Sequence, residues 1–205
     1  MDPLQSRIYL ASQSPRRREL LTQIGVRFEA LSFRSGARAD PEIDEAPLPG
    51  EAPDVYALRV ASAKARHGVK LVTLRRLPAR IVLAADTTLD LAGEIIGKPR
   101  DEAEAVSILQ RLSGRSHRVL TAIAVAHQAR LETRLSISTV RFRDLEPAEL
   151  RRYVASGEPL DKAGAYGIQG RAAMFIAEIC GSPSGIMGLP LCETALLLRD
   201  FGYPL

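Results

Sequence analysis

The stretch RIVLAADTTLDL, residues 80–91, constrains this chain most. It is a continuous apolar run ending in Asp86-Thr87-Thr88, and it is the strongest strand signal in the sequence. A carboxylate at such a strand end lies at the carboxyl edge of a sheet, where α/β folds build their sites. Asp86 there can bind a divalent cation or take a proton from water. The plainer alternative is an aspartate that caps a turn. The rest of the chain has to decide between them.

The flanking pattern predicts alternating elements. Residues 7–12 read as a short buried strand, and Ser14-Pro15 opens a helix that Gly25 closes. Residues 27–33 fit a second strand, and 34–54 a loop rich in Pro, Gly and acid. A helix follows over 53–67. Gly93-Glu94 turns the 80–91 strand into EIIGKP. Asp101 caps the next helix, with Glu104 at capping-box spacing, and Gly114 ends it. Residues 117–126 and 131–142 form two antiparallel strands joined across HQAR. Pro147 starts a helix that ends at Gly157. A loop over 159–171, a strand AAMFIAEI, a second loop over 181–190 and a helix over 190–200 complete the chain. This mixture predicts an α/β fold with a mixed sheet. With 205 residues it fits one large domain or two small lobes around a shared cleft.

Composition excludes several classes. No apolar run approaches the ~20 residues of a membrane span. The opening MDPLQSRIYLASQ lacks the apolar stretch of a secretory signal, so the protein is expected to stay where it is made. Cys180 and Cys192 form no CxxC and have no histidine pair nearby, so they read as small core residues and not as a zinc site or disulfide. The net charge of +4 is modest, and aromatics at 5% leave no basic patch with stacking residues, which argues against nucleic acid as partner. Of 28 basic residues only Lys64, Lys70, Lys98 and Lys162 are lysine. A lysine kept in an arginine background marks a place for a compact ammonium and not a planar fork.

Several groups carry chemistry. Strand–Ser12-Gln13-Ser14-Pro15-Arg16-Arg17-Arg18–helix is a phosphate cradle, with free N–H groups and guanidinium forks. Adjacent helical positions diverge by about 100°, so all three arginines cannot face one ligand. Lys98 in Gly97-Lys98-Pro99 lies one short hairpin from Asp86. The loop Asp161-Lys162-Ala163-Gly164-Ala165-Tyr166-Gly167-Ile168-Gln169-Gly170 offers a metal ligand, a phosphate contact, a stacking face and a base reader. Lys64 follows an acidic loop with Glu42, Asp44 and Glu45. The histidines His67, His117 and His127 have no metal or triad spacing. GxSxG, GxGxxG and Walker-type motifs are absent from the sequence. The set points to a polyphosphate handled with a divalent metal. Each group read singly has a bland counterpart in a solvated helix start or a polar surface loop.

Taken in order, these segments resemble the Maf family of nucleotide pyrophosphatases. The matching stretches are LASQSPRRRELL (10–21), IDEAPLPGEAPDVYALRVASAKA (43–65), AADTTLDLAGEIIGKP (84–99), LSGRSHRVLTAIAV (112–125), GEPLDKAGAYGIQGRAA (157–173) and GSPSGIMGLPL (181–191). The resemblance implies two lobes flanking a long mixed sheet with the nucleotide in a central cleft, an architecture shared with inosine-triphosphate pyrophosphatases. It implies cleavage between the α- and β-phosphates to a monophosphate and pyrophosphate, with Mg²⁺ or Mn²⁺, in a cytoplasmic homodimer. The whole chain, 1–205, would form one such domain. Within the family the SPRR, DT and DKAG-YGIQG motifs look like the branch acting on dTTP and UTP. Asp86 corresponds to its proton acceptor, and Arg16, Thr87 and Gln169 to its specificity-linked positions. Glu45, Lys64, Lys98 and Lys162 correspond to further site positions, Glu45 with Asp86 toward the metal. Ser12, Ser14, Arg16 and Arg17 are expected on the triphosphate. Gln13 stands where the family often has a small residue, and Thr88-Leu89-Asp90 replace a valine-rich continuation. Neither change removes a candidate catalytic group. Two other readings are a 7-methyl-GTP pyrophosphatase of the same family and a nucleotide-binding regulator of cell division without turnover.

Overall fold

The structure is a computed structural model that describes residues 7–32 and 43–205. Phe33 and residues 34–42 of the expected acidic loop, Glu42 included, lie outside the described residues. A seven-stranded mixed sheet runs through the molecule in the order β2-β1-β3-β5-β6-β7, with β4 beside β3. The strands are β1 (Ile8–Leu10), β2 (Phe28–Ala30), β3 (Val82–Leu91), β4 (Glu94–Ile96), β5 (Ser116–His127), β6 (Arg130–Phe142) and β7 (Ile176–Cys180). β1 lies parallel to β2 and β3, while β4, β5, β6 and β7 pair antiparallel. The expected mixed α/β class is the observed one. The helices are α1 (Pro15–Gln23), α2 (Pro53–Leu74), α3 (Glu102–Leu112), α4 (Pro147–Val154), α5 (Pro183–Met187) and α6 (Leu191–Asp200).

The long strand β3 belongs to two cores at once. Val82 and Ala84 meet α2 through Ala57, Ala61 and Ala65. Leu83 and Ala85 meet Leu20 and Leu21 of α1 and Leu197 and Leu198 of α6. Further along, Leu89 and Leu91 join a separate cluster with Ile108, Leu109, Phe142, Tyr153 and Phe175. Between these cores the strand carries Asp86-Thr87-Thr88. The apolar pattern thus builds two lobes and leaves the polar triplet at their junction, which is what the continuous run on both sides of it requires.

Four local expectations are corrected. α2 continues past His67 to Leu74. Gly68 lies inside the helix as a close-approach residue: a Cβ there would lie 2.7 Å from Val82 Cγ1. The expected strand 172–179 begins as a 3₁₀ turn, Arg171–Phe175, because Glu158 accepts from Arg171 N at 3.1 Å and Phe175 turns fully into the core. The expected loop 181–190 contains α5, capped by Ser182 Oγ accepting from Gly185 N at 3.0 Å. Cys180 and Cys192 are exposed and not in the core. Cys180 ends the outermost strand β7, and the buried side of α6 is formed by Thr194, Leu197 and Leu198.

Candidate active site

Between the lobes lies a cavity of about 1230 Å³ lined by Ser12, Ser14, Arg16, Arg17, Glu45, Lys64, Asp86, Thr87, Lys98, Lys162 and Gln169, whereas Arg18 and Asp44, also singled out in the sequence, do not line it. Asp86 forms its floor and is 7% exposed. It does not cap a turn. Its Oδ1 accepts from Lys64 Nζ at 2.8 Å, across the packing of α2 on β3. The same ammonium lies 3.0 Å from Glu45 Oε1. Lys64 therefore gathers two carboxylates from separate segments onto one point.

Glu45 is delivered by residues the sequence reading passed over. Tyr56 donates its hydroxyl to Glu45 O at 2.9 Å, and Arg59 donates to Asp44 O at 3.0 Å and Ala46 O at 2.9 Å. These two side chains, three apart on α2, fasten the acidic loop to the helix that carries Lys64. Burial, with Asp86 and Glu45 nearby, pushes the Tyr56 hydroxyl up to about 12, so it stays a donor. Helical spacing between Tyr56 and Arg59 was the signal that could have found this fastening.

The arginine-bearing helix start divides its labour. Arg17 folds inward: Nε donates to Gly188 O at 2.8 Å, Nη1 to Ser12 Oγ at 3.2 Å and Nη2 to Thr87 Oγ1 at 3.2 Å. Burial lowers its pKa, and the neighbouring Asp86 carboxylate opposes that. Arg16 faces the opposite lobe, 3.8 Å from Asp161 Oδ2. Arg18 is exposed and does not line the cavity. Ser14 holds the N-cap position, but its side chain makes no capping bond. Its backbone N–H instead donates to Ser12 Oγ at 3.2 Å. The free N–H groups of α1 thus open into the cavity beside Arg16, an anion-accepting arrangement.

The second lobe supplies the facing wall. Lys162 Nζ donates to Glu158 O at 2.5 Å and Asp161 Oδ1 at 2.6 Å. Burial raises the Asp161 carboxyl, but Lys162 and Arg16 together hold it below its ordinary value. Lys98 is exposed on the rim and has no hydrogen-bond or ion-pair partner among the described residues. Gly164 ties its loop to the Lys98 turn by donating to Gly97 O at 2.9 Å. Gln169 is exposed at the cavity edge. Glu158, also missed, steadies this loop by accepting from Tyr153 Oη at 3.1 Å and from Arg171 N at 3.1 Å. The cavity thus has an anionic floor at Asp86 and Glu45 and cationic or donor groups on both walls.

The family described as Maf-like protein matches residues 7–201. A dTTP/UTP pyrophosphatase of Aromatoleum aromaticum is 62% identical, covering 100% of this chain and 100% of the relative. A second, from Dechloromonas aromatica, is 60% identical over 96% of this chain and 98% of the relative. Among solved structures, a nucleoside-triphosphatase / dITP/XTP pyrophosphatase of Mycobacterium abscessus is 17% identical with a TM-score of 0.43, covering 95% of this chain and 97% of that one.

Proposed function

This chain belongs to the Maf family, and on that premise we propose that it hydrolyses dTTP and UTP to the nucleoside monophosphate and pyrophosphate. The observation that carries this reading is Asp86 on the floor of an interlobe cavity, with its Oδ1 held by Lys64. The Asp86 Oδ2 receives no hydrogen bond from the described residues, so it is available to a water proton. The names of the relatives at 62% and 60% identity support the choice of nucleotide.

In this mechanism water attacks the α-phosphorus in line, and Asp86 accepts its proton. The bond to the β-phosphate oxygen breaks, and pyrophosphate leaves. Lys98 and Lys162 offset charge that develops on the phosphate oxygens. Arg16, Ser12, Ser14 and the start of α1 hold the phosphate chain. Arg17 braces Ser12 and Thr87. Gln169 reads the base edge, since its amide both donates and accepts, as uracil and thymine do.

Glu45 and Asp86 suit a divalent cation. Their oxygens converge within 3.0 and 2.8 Å of one point, the Lys64 nitrogen, and hard carboxylate donors are what Mg²⁺ or Mn²⁺ takes. Among the described residues no three His, Cys, Asp or Glu side chains cluster as a ligand set. Mg²⁺ often combines one or two carboxylates with substrate phosphates, and that mode fits this pair. When bound, the cation supplies neutralisation of phosphate charge.

The working unit is proposed to be residues 1–205 as one domain, acting as a cytoplasmic homodimer. The family match over 7–201 supports the first part. The family resemblance alone supports the dimer and its location. Among the described residues no helix is long and apolar enough to cross a membrane. Sedimentation would test the dimer. A panel of triphosphates with Mg²⁺ or Mn²⁺ and product identification tests the function. Monophosphate plus pyrophosphate, with dTTP and UTP leading, is expected. Release of orthophosphate, or equal turnover of all nucleotides, would count against it.

A further inference from the structure

We propose that Thr121, which does not line the cavity, positions the Thr87 hydroxyl so that it meets a bound nucleotide only as a hydrogen-bond acceptor. The proposal rests on the nucleotide reading above and concerns what the same cleft can recognise.

Thr87 and Thr121 face each other across the β3–β5 ladder, with their hydroxyl oxygens 2.9 Å apart. Thr121 is 0% exposed, and its hydroxyl also lies 2.7 Å from Gly185 O. A carbonyl oxygen has no proton, so the single Thr121 hydroxyl proton goes to Gly185 O. Thr87 must then be the donor to Thr121. Arg17 Nη2 already donates to Thr87 Oγ1 at 3.2 Å. The Thr87 proton and one lone pair are therefore committed, and one lone pair remains for a ligand. The order runs one way, from Arg17 through Thr87 and Thr121 to Gly185 O.

Ser12, on the other side of the same guanidinium, is set in the opposite sense. Its Oγ accepts from Arg17 Nη1 at 3.2 Å and from Ser14 N at 3.2 Å. Both lone pairs are occupied, so its proton is left to donate. Ser12 and Thr87 both line the cavity. An ionised phosphate oxygen carries no proton and suits Ser12, whereas Thr87 requires an N–H or O–H. Uridine and thymidine nucleotides share two such donors, the imide N3–H of the base and the 3′-hydroxyl of the sugar. Cytosine presents a lone pair at N3. If the base is the partner, the acceptor-only Thr87 rejects a cytidine nucleotide.

The test uses Thr121→Val, which removes the acceptor holding the Thr87 proton at nearly unchanged shape. Gly185 O keeps its bond from Gly188 N at 2.9 Å in that variant. Thr121→Ser keeps the hydroxyl and the proton order, and Thr121→Ala is a second hydroxyl-free variant should Thr121→Val not fold. Affinities are measured by calorimetry for the α,β-methylene analogues of UTP, CTP and 3′-deoxy-UTP, which cannot be cleaved at that bond. In Thr121→Val the UTP-over-CTP affinity ratio is expected to fall about five- to tenfold, the worth of one hydrogen bond, while Thr121→Ser keeps the wild-type ratio. If that ratio holds and the ratio of UTP over 3′-deoxy-UTP falls instead, the ribose hydroxyl is the donor and the positioning role stands. Unchanged ratios in Thr121→Val, or an equal fall in Thr121→Ser, overturn it. A wild type that binds the analogues but releases no pyrophosphate from UTP overturns the enzymatic reading and leaves these ratios decisive. A wild type that binds none of the analogues overturns both.

Discussion

The Lys64 ammonium reaches from α2 to within 2.8 Å of Asp86 Oδ1 on β3, and so joins a helix of one lobe to the polar junction of the sheet. A carboxylate that is 7% exposed needs a cation or several donors close by, because burial of an unpaired charge is costly. Lys64 supplies that cation at the cleft floor.

Asp86→Asn is expected to fold and to lose pyrophosphate release by about 10²-fold or more, the scale of a positioned proton acceptor. Lys64→Met removes the hydrogen bond that the buried Asp86 Oδ1 accepts, and should cost stability on the order of 1–3 kcal/mol. The double variant should be less destabilised than the two single losses added together. Urea unfolding of the four proteins and a pyrophosphate assay check this. Wild-type turnover in folded Asp86→Asn would sink the central assignment.

Arg16 and Arg17 should separate by readout. Arg17→Met removes bonds to Gly188 O, Ser12 and Thr87, so both melting temperature and turnover should fall. Arg16 has only a loose 3.8 Å pairing with Asp161, so Arg16→Met should raise KM with little change in melting temperature. Equal loss of stability in both variants would contradict the division.

Gly164→Ala tests the loop facing Asp86. Gly164 has φ of +72°, and a Cβ there would collide with Leu89 Cδ2. Strain and overpacking together predict a loss of about 2–4 kcal/mol. Because Gly164 N also binds Gly97 O, the Lys98 and Lys162 sides should shift together and KM should rise. Denaturant titration and steady-state kinetics read both effects. An unchanged KM would show that this tie does not shape the cleft.

His117 predicts a pH dependence of stability. It is 2% exposed, bonds Tyr166 Oη at 2.7 Å, and burial lowers its pKa to about 4 from an ordinary 6.5. Below pH 6.5 the unfolded chain takes a proton that the folded one refuses. Stability from this group is therefore full above pH 6.5 and falls as pH drops toward 4, by about 3 kcal/mol in all. His117→Gln, which does not titrate, should show a flatter profile over that window by urea unfolding at several pH values. Parallel profiles for the two proteins would refute the assignment.

Much of the site was legible because its local signals are short-range. Asp86-Thr87-Thr88 interrupts an apolar run, and the two flanking cores confirm why that run had to be apolar on both sides. Asp101 caps α3 by accepting from Glu104 N at 2.8 Å, as its spacing predicts. Glu104, however, returns its side chain to Arg100 N at 2.6 Å, one residue earlier than a full capping box requires. The full box occurs at Glu146 and Glu149 of α4, where the sequence reading saw only Pro147.

Sequence alone determined the residue types of the cleft, their order and the mixed α/β class, because strand runs, helix starts and turn residues act over a few positions. Tertiary structure decided the pairings. Lys64 meets Asp86 over 22 residues, Arg17 meets Gly188 over 171, and Thr121 meets Gly185 over 64. No local pattern encodes such contacts. They follow from how two lobes pack along one strand, and that packing sets which arginine turns inward and which hydroxyl can only accept.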